Sequence, residues 1–318
     1  MEARLSRARR LACAVVALWS VAPLMAEAQG PRRPVSMQRQ SGYRTPNFVV
    51  RAPTPDLARE IGESAEAWRE SLAIEWLGKP MPNWVEPCPI TAQVSPSLGA
   101  GGATSFVFDR GEVFGWEMNI QGSRERVLDS VLPHEITHTV FASHFRQPLP
   151  RWADEGACTT VEHRSEIVKQ ERLLIQFLKT NKGIPFTQMF AMTEYPKDIL
   201  PLYAQGHSLT QFLMESRGKQ EFLNFLTDGM NHKNWRRAVS DHYGHESLYE
   251  LQTDWLDWVK QGRPRLDTPS AQPPVVLASA STPTPTAPAK RGRPSVYASR
   301  VADASAPAVS SVYAPLRR

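Results

Sequence analysis

The residues best suited to chemistry in this 318-residue chain are His134, Glu135 and His138, within Leu-Pro-His-Glu-Ile-Thr-His at 132–138. On a helix, side chains four apart share a face, so the two imidazoles can reach one metal ion. Glu135 then falls beside the ion rather than on it, where a carboxylate takes a proton from metal-activated water. Catalytic zinc takes three protein ligands and keeps a fourth position open, so a third ligand is needed. Two downstream residues qualify. His144 completes His-Glu-x-x-His-x-x-Phe-x-x-His, but Phe141 stands where a turn-making glycine is required. On an unbroken helix His144 lies about 240° round from His138. Glu155, in Trp152-Ala153-Asp154-Glu155-Gly156, follows Pro148 and Pro150, which end the first helix and let the chain reverse. That reversal brings Glu155 back toward the histidines, and it is the preferred ligand. Asp154 reads as a carboxylate that orients a histidine from behind.

Other elements must hold these groups in place. Ser123 is a candidate N-cap, although Arg126 stands where Glu or Gln would complete a capping box. Val127, Leu128, Val131 and Leu132 have helical spacing, and Pro133 begins or bends the helix. Upstream, the pattern predicts a strand at 47–51, an amphipathic helix at 56–77, a strand at 89–95 and a loose glycine loop at 99–102. A hairpin follows, 104–108 with 112–120, turning on Asp109-Arg110-Gly111, and 115–119 reads as an edge strand. Downstream, helices are expected at 166–180, 202–217, 219–227, 234–242 and 247–260, separated by glycine and proline. Trp255, Trp258 and Val259 read as core. His163, His232, His242 and His245 read as surface residues without a role. The expected class is α+β: a small mixed sheet with an edge hairpin and an active-site helix, then a helical lobe closing one side of a cleft.

His134-Glu135-x-x-His138, a proline-rich turn and Trp152-x-Asp154-Glu155-Gly156 together resemble the gluzincin metallopeptidases, most closely their peptidase MA-like branch. The segment is distantly similar to aminopeptidase-N-like enzymes, which space the second histidine and the glutamate more widely than the sixteen residues 139–154 here. The resemblance spans roughly 45–262 and is specific over 132–158. It implies a zincin-like fold and one Zn2+ per chain held by His134, His138 and Glu155. It further implies Glu135 as general base and a peptide or protein substrate, whose backbone such enzymes often pair with an edge strand. Related enzymes place a tyrosine after the third ligand to stabilise developing negative charge. Tyr203 matches in order, and His207 lies one turn on. Met192 with Tyr195 is only faintly similar to a metzincin methionine turn and carries no weight.

The ends differ from the middle. Residues 1–28 have a basic start (Arg4, Arg7, Arg9, Arg10), an apolar stretch and Ala26-Glu27-Ala28, the pattern of a cleaved signal peptide. Residues 29–44 read as a flexible lead and 45–265 as the catalytic domain. The segment 266–318, rich in Pro, Ala and Ser and basic, is too poor in bulky residues to fold. Export to the periplasm, cell envelope or medium is expected, with no membrane span after cleavage. In that setting Cys88 and Cys158, the cysteines left after cleavage, are expected to pair. Net charge divides as +2 in 1–28 and +4 from Asp267 onwards, leaving −1 of the total +5 for 29–266. The middle therefore has no basic field for a polyanionic substrate. The tail's Arg291-Gly292-Arg293-Pro294 matches a minor-groove DNA motif. Behind a signal peptide it reads instead as a contact for envelope polymers, and no nucleic-acid partner is expected.

Overall fold

Alternating burial builds the first half of the chain. The computed structural model describes residues 41–266, so the expected signal segment, most of the lead and all but the first residue of the tail lie outside the described residues. Strands β1 (Ser41–Arg44), β2 (Phe48–Ala52), β3 (Cys88–Val94), β4 (Gly101–Asp109) and β5 (Glu112–Gly122) form one mixed sheet in the order β1-β2-β3-β5-β4. β2, β3 and β5 run parallel, while β1 and β4 pair antiparallel with β2 and β5. Phe48, Val50 and Ala52 alternate inward on β2, as a half-buried strand requires. Helix α1 (Pro55–Leu77) is the crossover between the parallel strands β2 and β3. Its start is set by Thr54, whose hydroxyl accepts from the Leu57 N–H, and by Pro55 at the first helical position. Gly78, at φ 72°, ends it in the left-handed region. Ile61, Ala65, Leu72 and Trp76 form its buried stripe.

The second half is helical. α2 (Arg124–Arg126) begins on Ser123, whose hydroxyl accepts from the Arg126 N–H, so the cap forms without a Glu or Gln partner. A π-turn, Val127–Val131, then leads directly into α3 (Leu132–Phe145). Here the Leu132 N–H bonds the Val127 carbonyl, five residues back. Pro133 has no N–H with which to continue an ordinary ladder, so the chain accommodates it by a register slip instead of a break. α4 (Arg151–Thr160), α5 (Arg164–Lys179), α6 (Phe186–Met189), α7 (Leu200–His232), α8 (Trp235–Tyr243) and α9 (Leu248–Lys260) complete the order. α7 spans both of the helices expected on either side of Gly218, which sits at φ 83°, ψ 168° and kinks it. Asn234 and Ser247 cap α8 and α9. The core is continuous across both halves: Trp76 of α1 meets Phe141 of α3 edge-on, with ring centroids 4.9 Å apart, and also approaches Phe222 of α7.

α4 and α7 cross almost backbone to backbone. A Cβ on Gly156 would lie 2.5 Å from the Gly206 carbonyl oxygen, and a Cβ on Gly206 would lie 2.5 Å from that of Trp152. No helix of the described residues is long and apolar enough to cross a membrane.

Several expectations need correction. Residues 41–44, placed in the flexible lead, form β1, because Tyr43 covers Gly62 of α1 and the strand pairs with β2. Gly101 and Gly102 belong to β4 and not to a loose loop. The segment 115–119 lies in β5, an interior strand flanked by β3 and β4; the edge is β4. The Cys88–Cys158 bridge is not formed. Both thiols are free and buried, Cys88 Sγ against the Pro89 carbonyl and Cys158 Sγ 3.3 Å from His138 Nδ1, so the sulfurs point at different neighbours. His242 is no idle surface residue: its ring is held between Glu221 (2.8 Å) and Asp228 (2.9 Å). His245 likewise pairs with Asp254 at 3.4 Å. His163 and His232 are exposed, as expected, though the His163 ring caps α5.

Two measurements test this packing. Gly156→Ala should cost about 3 kcal/mol, a typical overpacking penalty where backbone cannot retreat, read as a lowered urea midpoint. Burial alone would push His242 down, but hydrogen bonds to Asp228 and Glu221 outweigh it and hold the imidazole above its usual pKa. A raised folded pKa stabilises fully below the unfolded value and fades as pH rises through the folded one. His242→Ala should therefore lower stability at pH 5.5 by roughly 1 kcal/mol, as partly exposed pairs allow. At pH 9 the difference should be smaller.

Candidate metal centre

α3 and α4 carry the centre. His134 and His138 lie one turn apart on α3, with ring centroids 5.1 Å apart. The turn through Pro148 and Pro150 reverses the chain, and α4 returns Glu155 to them: Glu155 Oε2 lies 3.4 Å from His134 Nε2 and 3.8 Å from His138 Nε2. Ligand atoms roughly 2.1 Å from a tetrahedral zinc stand about 3.4 Å from one another, so these three donors have the spacing of a ligand set. Each Nδ1 faces a carboxylate, His134 toward Glu162 at 2.7 Å and His138 toward Asp154 at 2.8 Å. With Nδ1–H donated, each Nε2 keeps the lone pair that a metal needs. Asp154 thus occupies the orienting position expected of it.

Glu135 stands beside this set and touches β4. Its Oε2 accepts from the Thr104 hydroxyl at 2.6 Å. A Cβ on Gly102 would come within 2.5 Å of Oε1, so any larger residue there would have to push the carboxylate aside. Burial raises the Glu135 pKa against the opposing pull of His134, His138 and Thr104, which makes it a stronger base than an exposed glutamate. Burial also opposes charge on both histidines, yet Glu155 and Glu162 hold His134 well above its usual value, and Asp154 raises His138. His134 and His138 lower Glu155 despite its burial. Glu135, Asp154 and Glu155 are each at most 2 % exposed. Carboxylates so deeply buried call for cationic compensation, and the same field that favours protons on the two imidazoles favours a divalent cation between them.

His134, His138 and Cys158 also form a buried group whose donor atoms all lie within 4.8 Å of one another, close enough to hold a metal ion. The sulfur approaches His138 at Nδ1, the nitrogen already engaged by Asp154. Burial and the nearby carboxylates push the Cys158 thiol well up, away from the thiolate that ligates metals. The Glu155 set, by contrast, leaves the carboxylate contacts at both Nδ1 atoms in place.

The centre opens on a cleft of ≈ 600 Å³, counting its open mouth, whose walls include Gly102, His134, Glu135, Glu162, Leu200 and Tyr203. Tyr203 lines the cleft. His207 is not among the lining residues; it is 1 % exposed, and burial pushes it down to about 4, so it is neutral. His144 is exposed at the far end of α3. Sequence reasoning missed Gly102, Thr104 and Glu162, and gave no weight to Tyr195, whose hydroxyl donates to Glu155 Oε1. Glu162 lies just past the end of α4, outside the helical pattern that relates Asp154 and Glu155, so no local spacing marks it.

Neither protein-family models nor characterised proteins match this chain, and its reading rests on geometry. Gly102→Ala should displace Glu135 and destabilise the protein by about 2 kcal/mol; an unchanged urea midpoint would show that the carboxylate can retreat.

Proposed function

We propose that this chain is an exported zinc-dependent metallohydrolase of the gluzincin type, with a zincin-like fold, that cleaves peptide bonds. The observation that carries the reading is the convergence of His134 Nε2, His138 Nε2 and Glu155 Oε2 with Glu135 alongside them at a cleft. A structural metal site has no use for a base beside its ligands. The peptide substrate is supported by β4, an edge strand whose first residues line the cleft and whose outer side can pair with an extended backbone.

His134, His138 and Glu155 would hold the ion. Bound there, zinc supplies a Lewis acid for the scissile carbonyl and acidifies a water. Glu135, steadied by Thr104 and raised in basicity by burial, would serve as the general base, its carboxylate accepting a proton from water and returning it to the leaving amine. Asp154 and Glu162 fix the two rings and their tautomers. Tyr203 on the cleft wall offers a hydroxyl to the oxygen on which negative charge develops. No role falls to His207.

Elemental analysis of wild type and variants tests this. One zinc per chain should be present in wild type, at least tenfold less in His138→Ala and Glu155→Ala, and the full amount in Cys158→Ala. Glu135→Gln should retain zinc and lose cleavage of a peptide library by 10²-fold or more, the usual worth of a general base. Zinc kept in Glu155→Ala but lost in Cys158→Ala would overturn the reading and leave a closed, non-catalytic metal site.

A further inference from the structure

Tyr195 sits on the stretch between α6 and α7, the connection whose last residue, Ile199, lines the cleft beside Leu200, the first residue of α7. It is held at both ends by one face of α4. Arg151 places its guanidinium 4.6 Å from the centre of the tyrosine ring, and Glu155, four residues on, accepts the tyrosine hydroxyl through Oε1. Residues four apart lie one above the other on a helix, so Arg151 and Glu155 grip the ring and its hydroxyl together. Arg151 is itself 6 % exposed and Glu155 fully buried, which leaves the tyrosine little room to rotate.

A carboxylate has two oxygens and can bind a cation through one or both. Tyr195 occupies Oε1, while Oε2 is the oxygen turned toward His134 and His138. A donated hydroxyl also fixes the rotation of the carboxylate, the last freedom of that side chain. We propose that Tyr195 is a positioning residue that restricts Glu155 to single-oxygen ligation and latches the 190–199 connection to the metal centre, so that metal binding and the order of this cleft wall are coupled. The inference rests on the metal centre proposed above. Coupling of this kind is reciprocal: whatever ordering of the connection contributes to metal affinity, the metal returns as protection of the connection.

Tyr195→Phe removes the hydroxyl and keeps the ring over Arg151, so the packing survives. Zinc affinity of the purified full chain, measured by competition with a chelator, should fall 10- to 100-fold, as for other groups that orient ligands. The visible spectrum of the cobalt(II)-substituted protein should change, because a freed Oε1 can also reach the ion. Hydrogen exchange of 190–199 should slow on adding zinc to wild type and not to Tyr195→Phe. Zinc affinity within twofold of wild type, with an unchanged cobalt spectrum, overturns the latch and leaves the proposed metal centre standing. Exchange in wild-type 190–199 that ignores zinc overturns the coupling even if the variant fails to fold. A wild-type chain that binds no zinc overturns both.

Discussion

Glu135, Asp154 and Glu155 are buried around two imidazoles, and the protein must make that arrangement tolerable. Moving even one carboxylate out of water is costly unless opposite charge and donors replace the lost hydration. The structure supplies those replacements from every side: Thr104 from the sheet, Tyr195 from the connection before α7, and the two histidine rings from α3. Glu162 closes the shell behind His134. Each of these groups comes from a different element, so the site exists only when sheet and helices have assembled around it. A cation seated between the imidazoles would complete the balance, which is why the donor set and the surrounding field point the same way.

Much of the fold follows from local rules, and for that reason it could be read from the chain. Helix starts at Thr54, Ser123, Asn234 and Ser247 are set by side chains bonding their own neighbours, and the end at Gly78 and the kink at Gly218 by backbone freedom. The α+β architecture with a mixed sheet and a helical second half is as expected. The approach of Glu155 to the two histidines was legible because Pro148 and Pro150 end the first helix and let the chain reverse. Hidden from the sequence were features decided by distant partners. β1 is four residues long and exists through β2 and α1. Whether 115–119 is an edge or interior strand depends on β3, almost thirty residues earlier in the chain. The cysteines were paired by compartment logic, yet the sulfur positions are set by what α4 and β3 pack against. Tyr195 lies forty residues from the carboxylate it holds, and no local pattern marks it.

The helix bearing the histidines shows how one awkward residue is used. Pro133 could have ended the preceding turn, but the π-turn at Val127–Val131 lets α2 run into α3 without interruption. π-turns of this kind are often found at functional sites. Here it sits one residue ahead of the helix that presents His134 and His138, and Ser130 and Val131 within it also line the cleft. The slip thus gives the same short stretch two tasks, joining two helices and shaping the wall beside the metal centre.

Gly156 follows Glu155 directly, and the two share a single helical turn. One residue faces the donors of α3, while the other allows α7 to approach at backbone distance. On the proposed function, reactivity and cohesion are therefore not separable parts of this molecule. A genetic screen for lost activity would collect, from this one turn, variants that are folded but inert together with variants that never accumulate. Any map of tolerated substitutions drawn from such a screen will show a single sensitive patch with two unrelated origins, and soluble yield must be scored beside turnover to tell them apart.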